Sequence, residues 1–303
     1  MHEINLGASG TYGTGPLARA RADMLRIDWQ RFTLAWDVIQ PSKNIWNWAA
    51  MDATIEAWKH LHLCALLHRW PPWICTNVSG SGTWLVSQNE LVDSFTIFCQ
   101  EIYKQYGDIF ALIQPTNEPW SNILPVTSPT EVAPLIARLG KAAQNTFKST
   151  AIAGPSLQSP TPNNSPMIGA HKSHHSAGFP CQWIDYHDYS EETVGGESID
   201  EYINNVRLVW GFLPVVVSEL GIFEAAGPDK AAITAIKYAS QPFTVCFVQN
   251  LLGSGNGPRE GFVNTPNSME LRPSMKSFID NWFFVKGKMF KNSDYSNITV
   301  LKV

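Results

Sequence analysis

Residues 111–120 read Ala-Leu-Ile-Gln-Pro-Thr-Asn-Glu-Pro-Trp. An apolar run of strand length is stopped by a proline, and an acidic residue, Glu118, follows at once. Downstream, Ser128-Pro-Thr-Glu131 has the pattern of a helix capping box with proline at the first helical position. Val132, Leu135, Ile136, Leu139 and Ala143 then recur on one helical face. Ala151–Gly154 is apolar and β-rich again. Strand, amphipathic helix and strand in this order make a parallel βαβ unit.

The same rhythm extends in both directions. Ile4–Ala8, Gln30–Leu34, Leu63–His68, Ala111–Thr116, Ala151–Gly154, Trp183–His187, Pro214–Glu219 and Phe243–Gln249 all read as strands. They are mostly apolar throughout, as expected of strands covered on both faces. Leu91, Phe95, Phe98 and Ile102 form a helical stripe, and Ser198-Ile-Asp-Glu201 is a second capping box leading into Tyr202, Val206 and Val209. Eight alternations predict a closed (β/α)8 TIM barrel or an open doubly wound sheet. No GxGxxG or P-loop follows any strand, which favours the barrel. The chain reads as one barrel domain over residues 1–303, with an insertion between the third strand and its helix at about 69–89. That insertion holds Trp70, Trp73 and Trp84 and is expected to wall a cleft.

Composition narrows the class. Lys+Arg number 22 against 26 Asp+Glu, a net charge of −4, and there is no charge run. Nucleic acid and anionic membrane surfaces are therefore not expected partners. No apolar stretch approaches the roughly 18 residues that span a bilayer. The N-terminus enters an apolar run at Ile4 without a secretory h-region, so the compartment stays open, as does the oligomeric state. Five cysteines without a CxxC signal neither a metal ribbon nor a disulfide framework; Cys64 and Cys246 read as buried small hydrophobes. His171-Lys-Ser-His174-His175 reads as a solvated loop, within a longer loop over Pro155–Gly178, because no acidic or thiol ligand stands at metal spacing. The 12 tryptophans suit flat apolar ligand faces rimmed with polar groups, as sugars present.

In a barrel the chemistry lies at the C-terminal ends of the strands. The fourth strand ends in Asn117-Glu118-Pro119, and the seventh, Val215-Val-Val-Ser-Glu219, ends in Glu219. Strands four and seven lie across the mouth from one another, so the two carboxylates can converge. A facing pair of carboxylates is what glycosidic hydrolysis needs: one protonates the leaving oxygen, the other attacks the anomeric carbon or activates water. Arg31, His68, and the His187 and Tyr189 that share one face of strand six aim at the same mouth. Asp108, Asp185 and Asp188 are open to subsite or supporting roles.

Arg31-Phe-Thr-Leu-Ala-Trp36 … Pro41 … Trp46-Asn-Trp48 … Asp52, Asn117-Glu118-Pro119, His187-x-Tyr189 and Glu219-Leu-Gly221, in this order, resemble the clan A retaining glycoside hydrolases, nearest to families 39 and 5. The resemblance runs over strands two to seven. It implies Glu118 as acid/base, Glu219 as nucleophile and Asn117 on the sugar 2-hydroxyl. It further implies Arg31 and Tyr189 holding Glu219, with His187 and His68 lining the cleft. An ionised Glu219 then disfavours a second negative charge at Glu118, so one site holds a proton donor and a nucleophile together. The double displacement needs no cofactor or metal, and its substrate is a β-linked polysaccharide, oligosaccharide or glycoside. Trp36, Trp70, Trp73 and Trp120 are the expected sugar platforms. The strand-eight tryptophan usual in the family is missing, and Phe247 or Gln249 stands in its place. A carbohydrate-binding barrel without turnover and a transglycosylase using the same glutamates are the alternative readings.

Overall fold

The computed structural model describes residues 6–9, 19, 22–23, 27–77, 83–119, 129–158, 165–188, 199–220 and 244–249. Eight strands close into a barrel: β1 (Leu6–Ser9), β2 (Trp29–Ala35), β3 (His62–His68), β4 (Phe110–Gln114), β5 (Ala151–Gln158), β6 (Trp183–Asp188), β7 (Val215–Leu220) and β8 (Thr244–Gln249). Every neighbouring pair is parallel, and β8 returns to β1 through Leu6↔Cys246 to Ser9↔Gln249. The expected (β/α)8 barrel is the fold.

Strand parity explains the all-apolar runs. Cys64, Leu112, Ala153, Val216, Val245 and Phe247 pack together as a small cluster inside the ring. Their sequence neighbours Leu63, Ala65, Ile113, Ile152, Val215, Val217 and Cys246 belong instead to the large core under the helices. That core also takes Leu91, Phe95, Phe98 and Ile102 from the helix Gln88–Tyr106 and Val132, Leu135, Ile136 and Leu139 from the helix Pro129–Thr146. Tyr202 and Val206 of the helix Ile199–Trp210 complete it over β6. Both faces of each strand are thus removed from water, which alternating polar residues would forbid.

Three strands carry an extra residue: β4 near its start, where Leu63 and Cys64 pair with Phe110 and Leu112, and β5 and β7, where the irregularity serves the mouth. On β7, Val217 pairs with Tyr186 but Glu219 pairs with His187, so one additional residue, Ser218, is spent between them. With Val216 inside, strict alternation would turn Glu219 outward; the bulge turns it in. On β5, Gly154 pairs with Ile184 but Leu157 with Tyr186, which in the same way brings Ser156 inward. Ser156 adopts φ 54, a left-handed conformation uncommon for a residue with a Cβ. β5 therefore runs past Pro155 to Gln158, four residues beyond the expected end at Gly154.

The loop expected over Pro155–Gly178 is corrected at both ends. Beyond β5, residues 165–176 form a helix, Ser165–Ser176. Its His171 and His174 have no accessible surface. Trp210 Nε1 donates to His171 Nδ1 at 3.0 Å, and His174 Nδ1 lies 2.9 Å from the Ala170 carbonyl. Imidazoles do the packing that apolar side chains usually do, so no apolar stripe marks the helix. Among the described residues, no helix is long and apolar enough to cross a membrane.

Candidate active site

Arg31 organises the mouth. It stands on β2 with 4% of its surface accessible, and each of its three nitrogens has its own acceptor. Nη1 donates to Glu219 Oε1 at 2.7 Å, Nη2 to Asn117 Oδ1 at 3.1 Å and Nε to Gln114 Oε1 at 2.6 Å. One planar, permanently charged fork thus ties β2 to the ends of β4 and β7. Burial opposes its charge, but Glu219 above all, with Asp185, outweighs burial and raises its pKa.

His187, on β6, has no accessible surface and sits between the two glutamates. Its Nδ1 is 2.8 Å from Glu118 Oε1 and 3.6 Å from Glu219 Oε2. Burial alone would lower its pKa; the charge of Glu219 and the hydrogen bond to Glu118 prevail and raise it. His68, at the end of β3, goes the other way: burial, then Arg31, pushes its pKa down to about 4, so it stands neutral at the mouth.

Glu118 lies just past β4 with φ 38, a strained value for a residue with a Cβ. Its N–H donates to the Ser156 carbonyl at 3.1 Å, which fixes that turn to the β5 bulge. The side chains of Glu118 and Glu219 keep 15% and 11% of their surface accessible, so both carboxylates open to the mouth above buried Arg31 and His187. One atom from each of Glu118, His187 and Glu219 lies within 4.8 Å of the other two, the one such group among the described residues. Arg31 offsets the charge of Glu219, and the arrangement suits proton transfer and attack by a carboxylate.

Several residues expected at the cleft are elsewhere. Trp36 is 1% and Trp70 1% accessible, so neither offers a face to a ligand. Trp36 stacks on Phe98 at 4.8 Å, and Trp70 meets Trp36 and Trp84 edge-on at 5.8 and 5.1 Å. Trp73 packs edge-on against Trp36 at 6.1 Å and its Nε1 donates to the Gln40 carbonyl. Trp70, Trp73 and Trp84 of the insertion therefore pack on Trp36 and on one another, and Arg69 pairs with Asp37 at 2.7 Å. Phe247 has no accessible surface and lies in the barrel interior, edge-on to Trp29 at 6.2 Å, so it cannot serve as a sugar platform. Gln249 ends β8, opposite Ser9 in the ladder. Tyr189 and Trp120 lie outside the described residues.

Three polar residues that sequence reasoning left aside or open stand directly beneath the site. Gln114, Ser156 and Asp185 have no accessible surface, and the Gln114 amide and the Ser156 hydroxyl both donate to Asp185 Oδ2. The sequence carried one signal for them: each is a polar residue beside apolar ones, Gln114 after Leu112 and Ile113, Ser156 before Leu157 and Asp185 after Ile184.

No protein-family model matches the chain, and no curated protein matches it. Solved structures with the same barrel do. The endo-β1,6-glucanase BT3312 superposes with a TM-score of 0.63 at 15% identity, over 93% of this chain and 76% of that one. A family 39 glycoside hydrolase from the gut symbiont Bacteroides cellulosilyticus WH2 gives 0.66 at 12%, over 92% of this chain and 63% of that one. The catalytic domain of the GH30 xylanase C from Talaromyces cellulolyticus gives 0.62 at 15%, over 94% and 76%. This chain shares the (β/α)8 barrel fold of these structures.

Proposed function

We propose that the chain is a single-domain retaining glycoside hydrolase acting on β-linked glycosidic bonds. The observation that carries this reading is the convergence of Glu118, His187 and Glu219 within 4.8 Å, with Arg31 bonded to Glu219. Retaining enzymes hold their two carboxyls about 5–5.5 Å apart, whereas inversion needs about 6.5–9.5 Å to admit water. The close approach of these carboxylates favours retention. The structural neighbours include a β-glucanase and a xylanase, which supports a β-linked carbohydrate substrate.

In this reading Arg31 keeps Glu219 ionised and directs its other oxygen, Oε2, to the anomeric carbon. The Glu219–carbon bond forms as the bond to the leaving oxygen breaks, and Glu118 gives that oxygen its proton. Glu118, now ionised, takes a proton from water; the water oxygen displaces Glu219, and both carboxyls return to their starting states. His187 follows the charge of Glu118 across the cycle through its 2.8 Å contact, and Asn117, held by Arg31, presents its amide N–H to the sugar. The test is a panel of nitrophenyl β-glycosides and soluble β-glucans and xylans, with the first-formed anomer read by proton NMR. Release of the β-anomer is expected. Release of the α-anomer, or no turnover of any member, overturns the reading.

A further inference from the structure

We propose that Asp185 is a positioning residue that sets both halves of the catalytic pair from below, through Gln114 to Arg31 and Glu219 and through Ser156 to Glu118. The inference rests on the hydrolase reading and names residues that it does not require.

The connections form a closed path. Asp185, on β6, takes the Gln114 amide and the Ser156 hydroxyl on the same oxygen, Oδ2. Gln114 turns its carbonyl oxygen to Arg31 Nε at 2.6 Å, and Arg31 reaches Glu219 at 2.7 Å. Ser156 turns its carbonyl to the Glu118 N–H at 3.1 Å. One buried carboxylate therefore touches, at one step removed, the group that holds the nucleophile and the backbone that carries the acid.

The polarity of this path is fixed. A glutamine amide can offer oxygen to Arg31 only if its nitrogen faces an acceptor, and Asp185 is that acceptor. Without it the amide could rotate and present N–H groups to a guanidinium, which repels them. Ser156 is likewise held where its φ of 54 is strained, and strain persists only when the surroundings over-determine it. Asp185 Oδ1 has no hydrogen-bond partner among the described residues. A carboxylate buried with one bare oxygen is a poor way to stabilise a barrel, since an apolar pair of the same volume packs there without the desolvation cost. Its retention is explained by what it aims.

The experiment uses the full-length protein with the nitrophenyl β-glycoside it cleaves fastest and its 2,4-dinitrophenyl counterpart. The dinitrophenolate leaves without a proton, so its first displacement bypasses Glu118 as acid, while the nitrophenyl substrate draws on Glu118 in both displacements. Asp185→Ala is expected to lower kcat on both about 100-fold, the size of a misplacement of about 1 Å, with KM within about threefold. Asp185→Asn keeps an oxygen for both donors and is expected to recover to within about fivefold of the parent. A folded Asp185→Ala protein that keeps kcat within about threefold on both substrates overturns the proposal.

If Asp185→Ala does not fold, the exchanged pair decides. Gln114→Glu sets two carboxylates face to face and is expected to be slow; adding Asp185→Asn restores a donor against the new carboxylate and is expected to return most of kcat. A double variant as slow as Gln114→Glu alone overturns the proposal. Failure of the hydrolase reading itself is distinct, because the parent protein would then turn over neither substrate.

Discussion

The barrel interior holds two layers, both largely hidden from water, of opposite chemistry. The lower layer is Cys64, Leu112, Ala153, Val216, Val245 and Phe247, with Trp29 and Trp183 packed against it. The upper layer is Arg31, Gln114, Ser156, Asp185, His187 and Glu219. One step of two residues up β2, β4 or β6, and of three across the bulge of β7, crosses from hydrocarbon to hydrogen-bonded charge. The lower layer fixes the ring by volume, which tolerates approximate substitutes. The upper layer fixes directions, and there a single wrong donor leaves a buried group unsatisfied. Stability and chemistry are thus separated by height within one barrel.

The contrast can be broken from either side. Glu219→Gln keeps shape and an acceptor for Arg31 but removes the proposed nucleophile; kcat on a nitrophenyl β-glycoside is expected to fall by more than about 10³-fold, with Tm shifted by only a few degrees. Unchanged turnover would remove Glu219 from its role. Phe247→Ala acts on the lower layer and has the opposite profile. It is expected to cost about 3–5 kcal/mol and lower Tm by roughly 5–15 °C, with kcat at 25 °C changed only a few-fold. Loss of activity at unchanged Tm in that variant would show that Phe247 touches the reaction after all.

A smaller effect comes from the shell around the barrel. Burial, with His174 adding to it, pushes the His171 pKa down to about 3, and burial pushes His174 down to about 4. Both sit below the ordinary value of about 6.5, so the unfolded chain binds protons that the folded chain refuses. Their packing is therefore fully stabilising above about pH 6.5 and loses ground as pH falls from there toward 4 and 3. Thermal melts from pH 7 to pH 4 are expected to show a falling Tm, and His174→Phe is expected to flatten that fall. An equally steep fall in the variant would assign the acid sensitivity to other groups. Smallest of all is the exposed Lys43–Glu90 pair at 3.5 Å, whose removal is expected to change stability by less than about 1 kcal/mol in chemical denaturation.

The sequence made the barrel legible because all-apolar strands and striped helices leave few other packings, and Leu91, Phe95, Phe98 and Ile102 do share one buried face. Glu118, Glu219, Arg31 and His187 stood out for a related reason: a titratable group within or at the end of an apolar strand is conspicuous. What stayed hidden depends on single-residue geometry or on identity of environment. No pattern distinguishes a bulge at Ser218 or Ser156 from regular strand, although each decides which way its neighbourhood points. Trp36 and Trp70 have the composition of a sugar platform, but their large apolar surface is taken by Phe98 and by each other. The helix Ser165–Ser176 reads as polar because its packing face is made of histidine.

The most direct test of the central claim is intact and peptide mass spectrometry after incubation with an activated 2-deoxy-2-fluoro-β-glycoside of the sugar the enzyme cleaves. A single fluorosugar on the peptide carrying Glu219, formed as activity is lost, is the expected result. Inactivation with the label on any other residue, or full turnover of substrate with no covalent adduct under any leaving group, would contradict it.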